Sequence, residues 1–402
     1  MKQIIFHIDV NSAFLSWTAV EQLKNGAEFD IREIPSIIGG DRTSRHGIVL
    51  AKSVSAKKHG IVTGEPIAHA LKKCPSIQMF PPDHRMYQEY SERLMEFLRS
   101  YTPDIEQVSV DECYMDFTGI AHKHQSPLEA AVEIKDAVYE KFGFTVNIGI
   151  SSNRLLAKMA SDFEKPNKVH TLFPEEIPLK MWPLPVSELY MAGRSSVEIL
   201  NKLEIRTIGE LAKTDPQLLE LHLKSHGRTL WEFANGVDDS KVIRERVENK
   251  GIGNSTTLSK DVVTEERARE VLLMLAESVG ARLRKEGQKA NMVSVEIKYS
   301  TFQSFSHQKQ LTRATNADQM IYQQACELFR ELWNGEAIRL LGIRTSKLVA
   351  DDAPEQMTIF DYSYNEKEKK NIDEKHQKLD KALDEIRKKF GDEAIKRGTL
   401  LK

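Results

Sequence analysis

Two short strand-forming segments carry acidic residues where a buried strand would normally have none. Residues 4–10 place Asp9 near the end of an apolar run, and residues 108–117 carry Asp111 and Glu112 among β-branched and aromatic residues. Both patterns are typical of short β-strands. Carboxylates gathered in this way are costly to bury. Carboxylates offer only oxygen ligands, which suit Mg²⁺. The three acids therefore predict a site for one or two divalent cations, as found in enzymes that transfer phosphoryl groups.

A simpler interpretation gives each acid a local structural role. Asp9 would cap the helix that follows it, and Asp111 and Glu112 would be ordinary charges at the edge of a strand. Capping accounts well for a single Asp. It accounts poorly for two adjacent acids on an apolar hairpin, which repel one another and gain nothing locally. The metal site is therefore the favoured hypothesis, and His7 is predicted to be a strand residue rather than a ligand.

The length, charge and cysteine content of the chain limit the classes of protein to which it can belong. The chain has 402 residues, of which 40% are hydrophobic and 29% charged, with a formal net charge of -2. This length predicts several domains, and the balanced charge means that any basic surface must be local. The three cysteines are far apart and fit no metal-binding spacing, which favours a reducing compartment. With no signal peptide or membrane span in the pattern, we expect a cytoplasmic protein that does not enter a membrane.

The first 172 residues predict an α+β sheet covered by helices on one face. The predicted strands are 4–10, 108–117 and 144–150, and the predicted helices are 12–23, 87–98, 127–142 and 154–163. Residues 27–74 are broken by glycines and prolines, and they are interpreted as a small insert.

The texture of the sequence changes near Pro174, where a proline-rich linker leads into short helices over 186–240. A second small α+β domain follows, with predicted helices at 265–284 and 317–333 and predicted strands at 292–299 and 339–349. Residues 350–402 form a charged tail with a helix at 374–390.

Four motifs resemble those of the Y-family translesion DNA polymerases. They are Asp-Val-Asn-Ser-Ala-Phe at 9–14, Ser-Val-Asp-Glu at 109–112, Asn-Ile-Gly-Ile-Ser-Ser-Asn at 147–153, and Leu-Ala-Lys-Met-Ala-Ser at 156–161 with Lys-Pro-Asn at 165–167. They occur in the family's order and spacing. The resemblance extends over about residues 1–350 and is most specific in the first 170.

The resemblance implies an α+β multidomain fold of the right-hand polymerase type. The implied parts are a palm (1–26 and 75–172), small fingers (27–74), a helical thumb with a helix-hairpin-helix (173–243), an α+β little finger (244–349) and a charged tail (350–402).

The resemblance also implies roles for individual residues at the active site. Asp9, Asp111, Glu112 and the backbone carbonyl of Val10 would hold two Mg²⁺ ions. Phe14 would be a steric gate against ribose. Ala13 and Phe14 would offer backbone N–H groups to the phosphates of the nucleotide, and Lys57 and Lys165 would contact its triphosphate. Many relatives carry a Tyr and an Arg where this chain has Val54 and Lys57, and a second acid where it has Asn11.

Further residues are implied as contacts with macromolecules. The expected DNA contacts are Gly193 and Arg194 in the hairpin region and Arg282, Lys298 and Arg344 in the basic little finger. Gln356-Met-Thr-Ile-Phe360 is similar to the peptide with which bacterial polymerases bind the sliding clamp, with Gln356, Ile359 and Phe360 as contacts. A tail segment that packs on its own protein is the alternative.

The expected function is template-directed DNA synthesis of low fidelity on damaged templates, by two-metal nucleotidyl transfer to a primer 3′-hydroxyl. The expected partners are primer–template DNA, deoxynucleoside triphosphates and the sliding clamp. Two other functions remain open: a non-catalytic accessory protein that binds DNA and the clamp, and a palm-fold nucleotide cyclase, which leaves the hairpin region and the basic domain unexplained.

Overall fold

The computed structural model describes residues 3–40, 47–244, 249–353, 364–391, 394, 395, 397 and 398, with side chains of the last helix described from Lys375 onward. These residues form two compact units, the first within residues 3–244 and the second within 249–398.

The first unit contains both strands and helices. Its strands are β1 (Ile5–Val10), β2 (Ser36–Gly39), β3 (Val49–Lys52), β4 (Gln78–Phe80), β5 (Ile105–Gln107), β6 (Glu112–Asp116), β7 (Val146–Ser151) and β8 (Val169–Thr171). Its helices are α1 (Ala13–Lys24), α2 (Val54–Lys58), α3 (Ile67–Lys73), α4 (His84–Arg99), α5 (Pro127–Phe142), α6 (Arg154–Asp162), α7 (Ile177–Lys180), α8 (Arg194–Lys202), α9 (Ile208–Lys213), α10 (Pro216–Leu223) and α11 (Ser225–Ala234).

The main sheet has the strand order β5-β6-β1-β7-β8. Its central strand β1 pairs antiparallel with both β6 and β7. Alternation along β1 turns Phe6, Ile8 and Val10 into a core shared with α1, α4 and α5. The same alternation leaves His7 and Asp9 on the opposite side of the sheet, which is the side that carries the candidate site.

Helix α6 covers part of this opposite side, so the prediction of a sheet covered on one face was wrong. Its Ala157 packs with Ile5 and Tyr114, and its Ser161 hydroxyl lies 2.8 Å from Nδ1 of His7. A Cβ at Gly149 of β7 would lie 2.0 Å from the Ala157 carbonyl oxygen. Only a glycine therefore allows α6 to approach so closely, and the sequence pattern does not reveal which face a helix will cover.

The predicted strand over residues 108–117 was also wrong in its first half. Regular pairing begins only at Glu112, while residues 108–111 form a turn between β5 and β6. Val108 and Val110 are 46% and 40% exposed. Their β-branched side chains suggest a strand, but the hairpin must reverse here, and the reversal brings the Asp111 carbonyl within 3.0 Å of the Val10 amide.

A second, three-stranded sheet of order β3-β2-β4 packs with α2 and α3 around Ile37, Val49 and Ile67. It corresponds to the predicted insert and includes Gln78–Phe80, beyond the residue 74 at which the predicted fingers end. The short helices predicted over 186–240 are present as α8 to α11, and with α7 they surround a common apolar core.

The second unit has a four-stranded antiparallel sheet and three helices. Its elements are β9 (Gly251–Val262), α12 (Glu265–Lys285), β10 (Gln288–Tyr299), β11 (Ser304–Thr315), α13 (Asp318–Leu332), β12 (Ile338–Ala350) and α14 (Tyr364–Phe390). The strand order is β11-β10-β12-β9. The sequence predicted α12, β10, α13 and β12 but missed β9 and β11. Both are edge strands, and exposed polar residues weaken the hydrophobic alternation that predicts a strand.

Helix α14 is part of the second unit, whereas the sequence predicted a charged tail with a shorter helix. It packs on α12 and α13 through buried charges. Arg284 of α12 binds Asp384 of α14 in a bidentate pair (2.6 and 3.0 Å) and Asp318 of α13 at 2.8 Å. Asp380 of α14 accepts the backbone N–H of Asp318 and so caps α13 from another helix. A Cβ at Gly280 would lie 2.1 Å from Asp318 Oδ1, so this site needs a glycine.

Two further observations concern the expected surroundings of the protein. None of the described helices is both long enough and apolar enough to cross a bilayer. Cys74, Cys113 and Cys326 are buried free thiols.

Candidate active site

The three predicted carboxylates lie together at one end of the main sheet. Asp9 and Glu112 are register partners on the antiparallel strands β1 and β6, and Asp111 immediately precedes Glu112 in the turn. Asp9, Val10 and Asp111 line a cleft of about 370 Å³. Long-range pairing thus brings together acids that are about a hundred residues apart in the sequence.

Asp9 forms an ion pair with Lys165. Lys165 also lies 2.8 Å from Asp162, the last residue of α6. Burial disfavours the charged form of Lys165, but the two carboxylates outweigh this effect and raise its pKa. Lys165 is therefore a positively charged residue that lines the cleft.

Glu112 is held by two basic side chains that the sequence did not single out. Lys158 of α6 lies 2.8 Å from Glu112 Oε2, and Nε2 of His7 lies 3.3 Å from the same oxygen. His7 and Lys158 together hold the pKa of Glu112 at about 2, against the opposing effect of burial. Burial lowers the pKa of His7 itself. Glu112 is thus a carboxylate at any physiological pH.

Asp111 has the opposite electrostatic character. Burial, together with the neighbouring charges of Asp9 and Glu112, raises the pKa of Asp111 above its ordinary value. The Ser109 hydroxyl donates to Asp111 Oδ1 at 2.6 Å and works against this rise. A positive charge close to Asp111 would stabilise its ionised form.

The donor set fits a hard divalent cation, although the side chains are not arranged around one. Within the described ranges, no three or more His, Cys, Asp or Glu side chains are gathered closely enough to hold a metal ion. Instead, Asp9 forms an ion pair with Lys165, and Glu112 forms one with Lys158. The carboxylates offer only oxygen ligands, which Mg²⁺ prefers, and the raised pKa of Asp111 reflects an excess of negative charge that a cation would relieve.

Phe14 lines the cleft together with the acids, and other aromatic rings pack against it. Phe14 stacks on Tyr87 with ring centroids 4.4 Å apart and an angle of 7° between the rings, and His84 meets Phe14 edge-on at 5.9 Å. Ala13 and Phe14 are the first residues of α1, where backbone N–H groups have no partner within the helix. Lys57 of α2 also lines the cleft, together with residues of β3 from the small sheet.

Asn11 stands where many relatives carry a second acid, and its hydrogen bonds require an amide. Its amide nitrogen donates to Asn147 at 3.0 Å, and its oxygen accepts the Thr145 hydroxyl and the Asn167 backbone N–H. An Asp could not donate the first of these bonds. Asn11 therefore ties the end of β1 to the loop that carries Lys165.

The predicted DNA contacts of the second unit fall in two places. Lys298 and Arg344 lie on the sheet face away from the helices, a face lined by small polar residues and glycines that also carries Glu296. Arg282 lies on α12, where it donates to the Gly253 carbonyl oxygen at 2.7 Å. Arg282 therefore does not share a face with Lys298 and Arg344.

Two predicted DNA contacts lie in the helical part of the first unit, and the three predicted clamp contacts lie outside the described residues. Gly193 is the N-cap of α8 and has open space around its Cα, and the side chain of Arg194 is 94% exposed. Gln356, Ile359 and Phe360 belong to residues 354–363, which the structure does not describe.

Sequence reasoning missed the two residues that hold Glu112. Lys158 lies in the motif at 156–161, so its position was noticed but its role was not. His7 was assigned to the strand, and its alternation with Asp9 could have placed both on one face. What the sequence could not supply is the position of α6, which brings Lys158 and Ser161 to that face.

Comparisons with known proteins agree with this architecture. Residues 8–162 match the impB/mucB/samB family, and residues 249–359 match the C-terminal domain of the same family. The chain is 50% identical to DNA polymerase IV of Clostridium acetobutylicum over 100% of this chain and 99% of that protein. It is 35% identical to DNA polymerase IV 1 of Bacillus subtilis over 100% and 94% of the two chains. The solved Y-family DNA polymerase chimera Dbh-Dpo4(243-245)-Dbh has a TM-score of 0.75 at 22% identity, covering 86% of this chain and 99% of that one.

The fold is that of a right-hand polymerase, the class with palm, fingers, thumb and little-finger parts. The chain belongs to the Y-family of bacterial DNA polymerases, the impB/mucB/samB family, and its enzyme class is DNA-directed DNA polymerase. The predicted fold class and family are thereby confirmed, while the domain boundaries and the roles of individual residues stay predictions.

Proposed function

We propose that this polymerase performs low-fidelity translesion synthesis, by nucleotidyl transfer at a two-metal site formed by Asp9, the Val10 carbonyl, Asp111 and Glu112. The observation that supports this most is the pairing of Asp9 with Glu112 across β1 and β6, with Asp111 beside them at the cleft. No other set of acids in the described part of the cleft is placed in this way.

The protein's own part in the reaction is mostly positioning. Two Mg²⁺ ions, when bound, supply charge neutralisation at the phosphates and a lower pKa for the primer 3′-hydroxyl. Glu112 enters the reaction already ionised, because His7 and Lys158 keep its pKa near 2. Lys165 forms its ion pair with Asp9 and lies within the same cleft, so it can move to the triphosphate when a cation takes its place.

The nucleotide is selected by the walls of the cleft. The N–H groups at the start of α1 suit phosphate oxygens, which gives Ala13 and Phe14 their backbone role. The Phe14 ring, backed by Tyr87, would lie under the sugar and leave no room for a 2′-hydroxyl. Lys57 would add a point charge to the triphosphate site, without the fork of an Arg.

Low fidelity and lesion tolerance follow from the size of the finger module. Its sheet has three strands of three or four residues each. A small module makes few contacts with the nascent base pair, so it performs little of the shape check that rejects wrong pairs.

The proposed contacts with DNA and the clamp are residues other than those that line the cleft. Gly193 and Arg194 would present backbone and charge to a DNA phosphate, and Lys298 and Arg344 would follow the DNA backbone from the open sheet face. Arg282 is the weaker candidate, because it lies on the helical side. The segment Gln356–Phe360 would bind the clamp as an extended peptide. The cytoplasm, where the chromosome of a bacterium lies, is the proposed location.

The direct test is primer extension with Mg²⁺ by Asp111→Ala and Glu112→Ala proteins. Each variant should lose at least ~1,000-fold in rate, because nothing else in the cleft can replace a metal ligand. Glu96→Ala, an exposed acid on α4, is the matched control. Mn²⁺ binding measured by electron paramagnetic resonance gives a readout that does not depend on activity. Extension by either variant at the rate of the parent would refute the metal assignment.

A second experiment tests translesion synthesis separately. The parent protein should extend a primer past a template abasic site with a loss of rate much smaller than a high-fidelity polymerase shows, and it should misinsert frequently on undamaged DNA. A complete block at the lesion, together with accurate copying, would leave a DNA polymerase but remove its translesion role.

A further inference from the structure

Lys52 is a basic residue of the cleft to which the sequence assigned no role. It ends β3, and its carbonyl oxygen accepts the Ser12 hydroxyl at 3.2 Å, directly before the first turn of α1. The Lys52 side chain lines the same cleft as Asp9, Asp111 and Phe14. Strand β3 therefore brings an ammonium group to the cleft that also holds the two aspartates.

The Lys52 ammonium is held by a hydroxyl rather than by a carboxylate. Nζ of Lys52 donates to Oγ1 of Thr63 at 3.0 Å, and Thr63 also lines the cleft. Glu65 is the acid that most favours the charged form of Lys52, but it is already bound to Lys73 at 2.6 Å. Among the described residues, no carboxylate forms an ion pair with Lys52.

This environment disfavours the charge on Lys52 until an anion arrives. Burial, and then the neighbouring charge of Lys57, lower the pKa of Lys52. Two ammonium groups in one cleft repel each other unless negative charge lies between them. A triphosphate would supply that charge, and the described cleft carries three lysines (Lys52, Lys57 and Lys165) against two aspartates (Asp9 and Asp111).

The other finger residues that line the cleft are poor in groups that bind phosphate. Val54 has no hydroxyl, and Lys57 offers a single point charge. Lys52 with Thr63 adds a second ammonium and a hydroxyl to the same cleft. We propose that Lys52, positioned by Thr63, is a further contact for the triphosphate of the incoming nucleotide. This inference rests on the nucleotide site proposed above and extends it to a residue outside the family motifs described in the sequence.

The test measures nucleotide binding without chemistry. A primer that ends in a dideoxynucleotide is annealed to a template carrying 2-aminopurine, and the fluorescence change reports the Kd of each of the four deoxynucleoside triphosphates in turn. Lys52→Met should raise Kd about tenfold, by a similar factor for all four, because a charge-assisted hydrogen bond to phosphate is lost. Lys52→Arg should stay within about threefold of the parent, because the positive charge is retained.

Two further variants separate the role of Lys52 from general effects. Thr63→Val should raise Kd by a smaller factor, because it removes only the group that positions the ammonium. Lys58→Met, an exposed lysine on α2 that does not line the cleft, should bind like the parent. If Lys52→Met fails to fold, the Kd values of the single variants Lys52→Gln and Thr63→Val are compared with those of the parent instead.

The outcomes distinguish this inference from the proposed function. Parent-like Kd values for the neutral Lys52 variants would overturn it, and so would a weakening confined to one or two bases, which would indicate a contact to the base. A parent protein that binds no nucleotide on the primer–template would instead contradict the proposed function.

Discussion

At the residue scale, the site combines three carboxylates with three different electrostatic surroundings. Asp9 is paired with a lysine, Glu112 is held by a lysine and a histidine, and Asp111 accepts a hydrogen bond from the Ser109 hydroxyl. Three identical charges in identical surroundings could not all stay ionised so close together. His7 and Lys158 hold the pKa of Glu112 at about 2, and Lys165 forms the ion pair with Asp9.

The pH dependence of metal binding should therefore follow Asp111. Its pKa is raised, so protonation on acidification reaches Asp111 before Glu112, and Mn²⁺ binding should be lost as the pH falls through the Asp111 pKa. Ser109→Ala removes the hydroxyl that stabilises the carboxylate. The loss of binding should then begin at a higher pH, as measured by electron paramagnetic resonance. A midpoint that is unchanged, or lower, would show that Asp111 does not control the site.

Sugar selection is the second prediction at this scale. Phe14→Ala removes the ring that stacks on Tyr87, and incorporation of ribonucleotides relative to deoxyribonucleotides should rise roughly 10- to 100-fold. The ratio of kcat/KM values on the same primer–template measures this. Phe29→Ala, a half-exposed phenylalanine that does not line the cleft, is the control. An unchanged ratio for Phe14→Ala would remove the gate role.

At the element scale, α14 shows how a polar sequence becomes part of a core. Arg284, Asp318 and Asp380 have side chains that are 5% or less exposed, and Arg397 lies 3.1 Å from Asp380. Burial is the main reason that the pKa of Asp318 rises to about 7, with the nearby Asp380 adding to it against the opposing arginines. Among the described side chains, a network of buried charges thus connects α12, α13 and α14.

The stability of the second unit should therefore depend on Asp318 between pH 4 and 7. A carboxyl whose pKa is raised on folding binds its proton more tightly in the folded state, so its contribution is present at low pH and lost as the pH rises. From pH 5 to 7, the free energy of unfolding of the parent should fall by on the order of 2 kcal/mol more than that of Asp318→Asn. Urea unfolding at both pH values, with Asp352→Asn as the exposed control, measures the difference. Parallel pH profiles for parent and Asp318→Asn would contradict the assignment.

At the scale of the whole molecule, the clamp-like peptide lies in the sequence between β12 and α14, which both belong to the second unit. Ile359→Ala with Phe360→Ala should weaken binding to an immobilised sliding clamp by about 100-fold or more, because two apolar side chains lose their pocket. Surface plasmon resonance measures this, and Phe390→Ala, an exposed phenylalanine at the end of α14, is the control. Clamp binding equal to that of the parent would assign the segment to packing on its own protein.

The elements that the sequence predicted well are those with a strong local pattern. The predicted helix over 127–142 matches Pro127–Phe142, and the one over 265–284 matches Glu265–Lys285 within one residue. Both could be predicted because apolar residues at helical spacing are close together in the sequence. The family and the fold class followed from motifs that are equally local.

What the sequence determined by itself was the family, the fold class and the candidates for the chemistry: the acids at 9, 111 and 112 and the aromatic ring at 14. The tertiary structure decided what surrounds them. His7 and Lys158 hold Glu112, Lys52 lines the same cleft as Asp9, and α14 packs on Arg284, all through contacts between residues far apart in the chain. A local pattern records which face of an element is apolar, but not which distant element will cover that face, and charge partners depend on the latter.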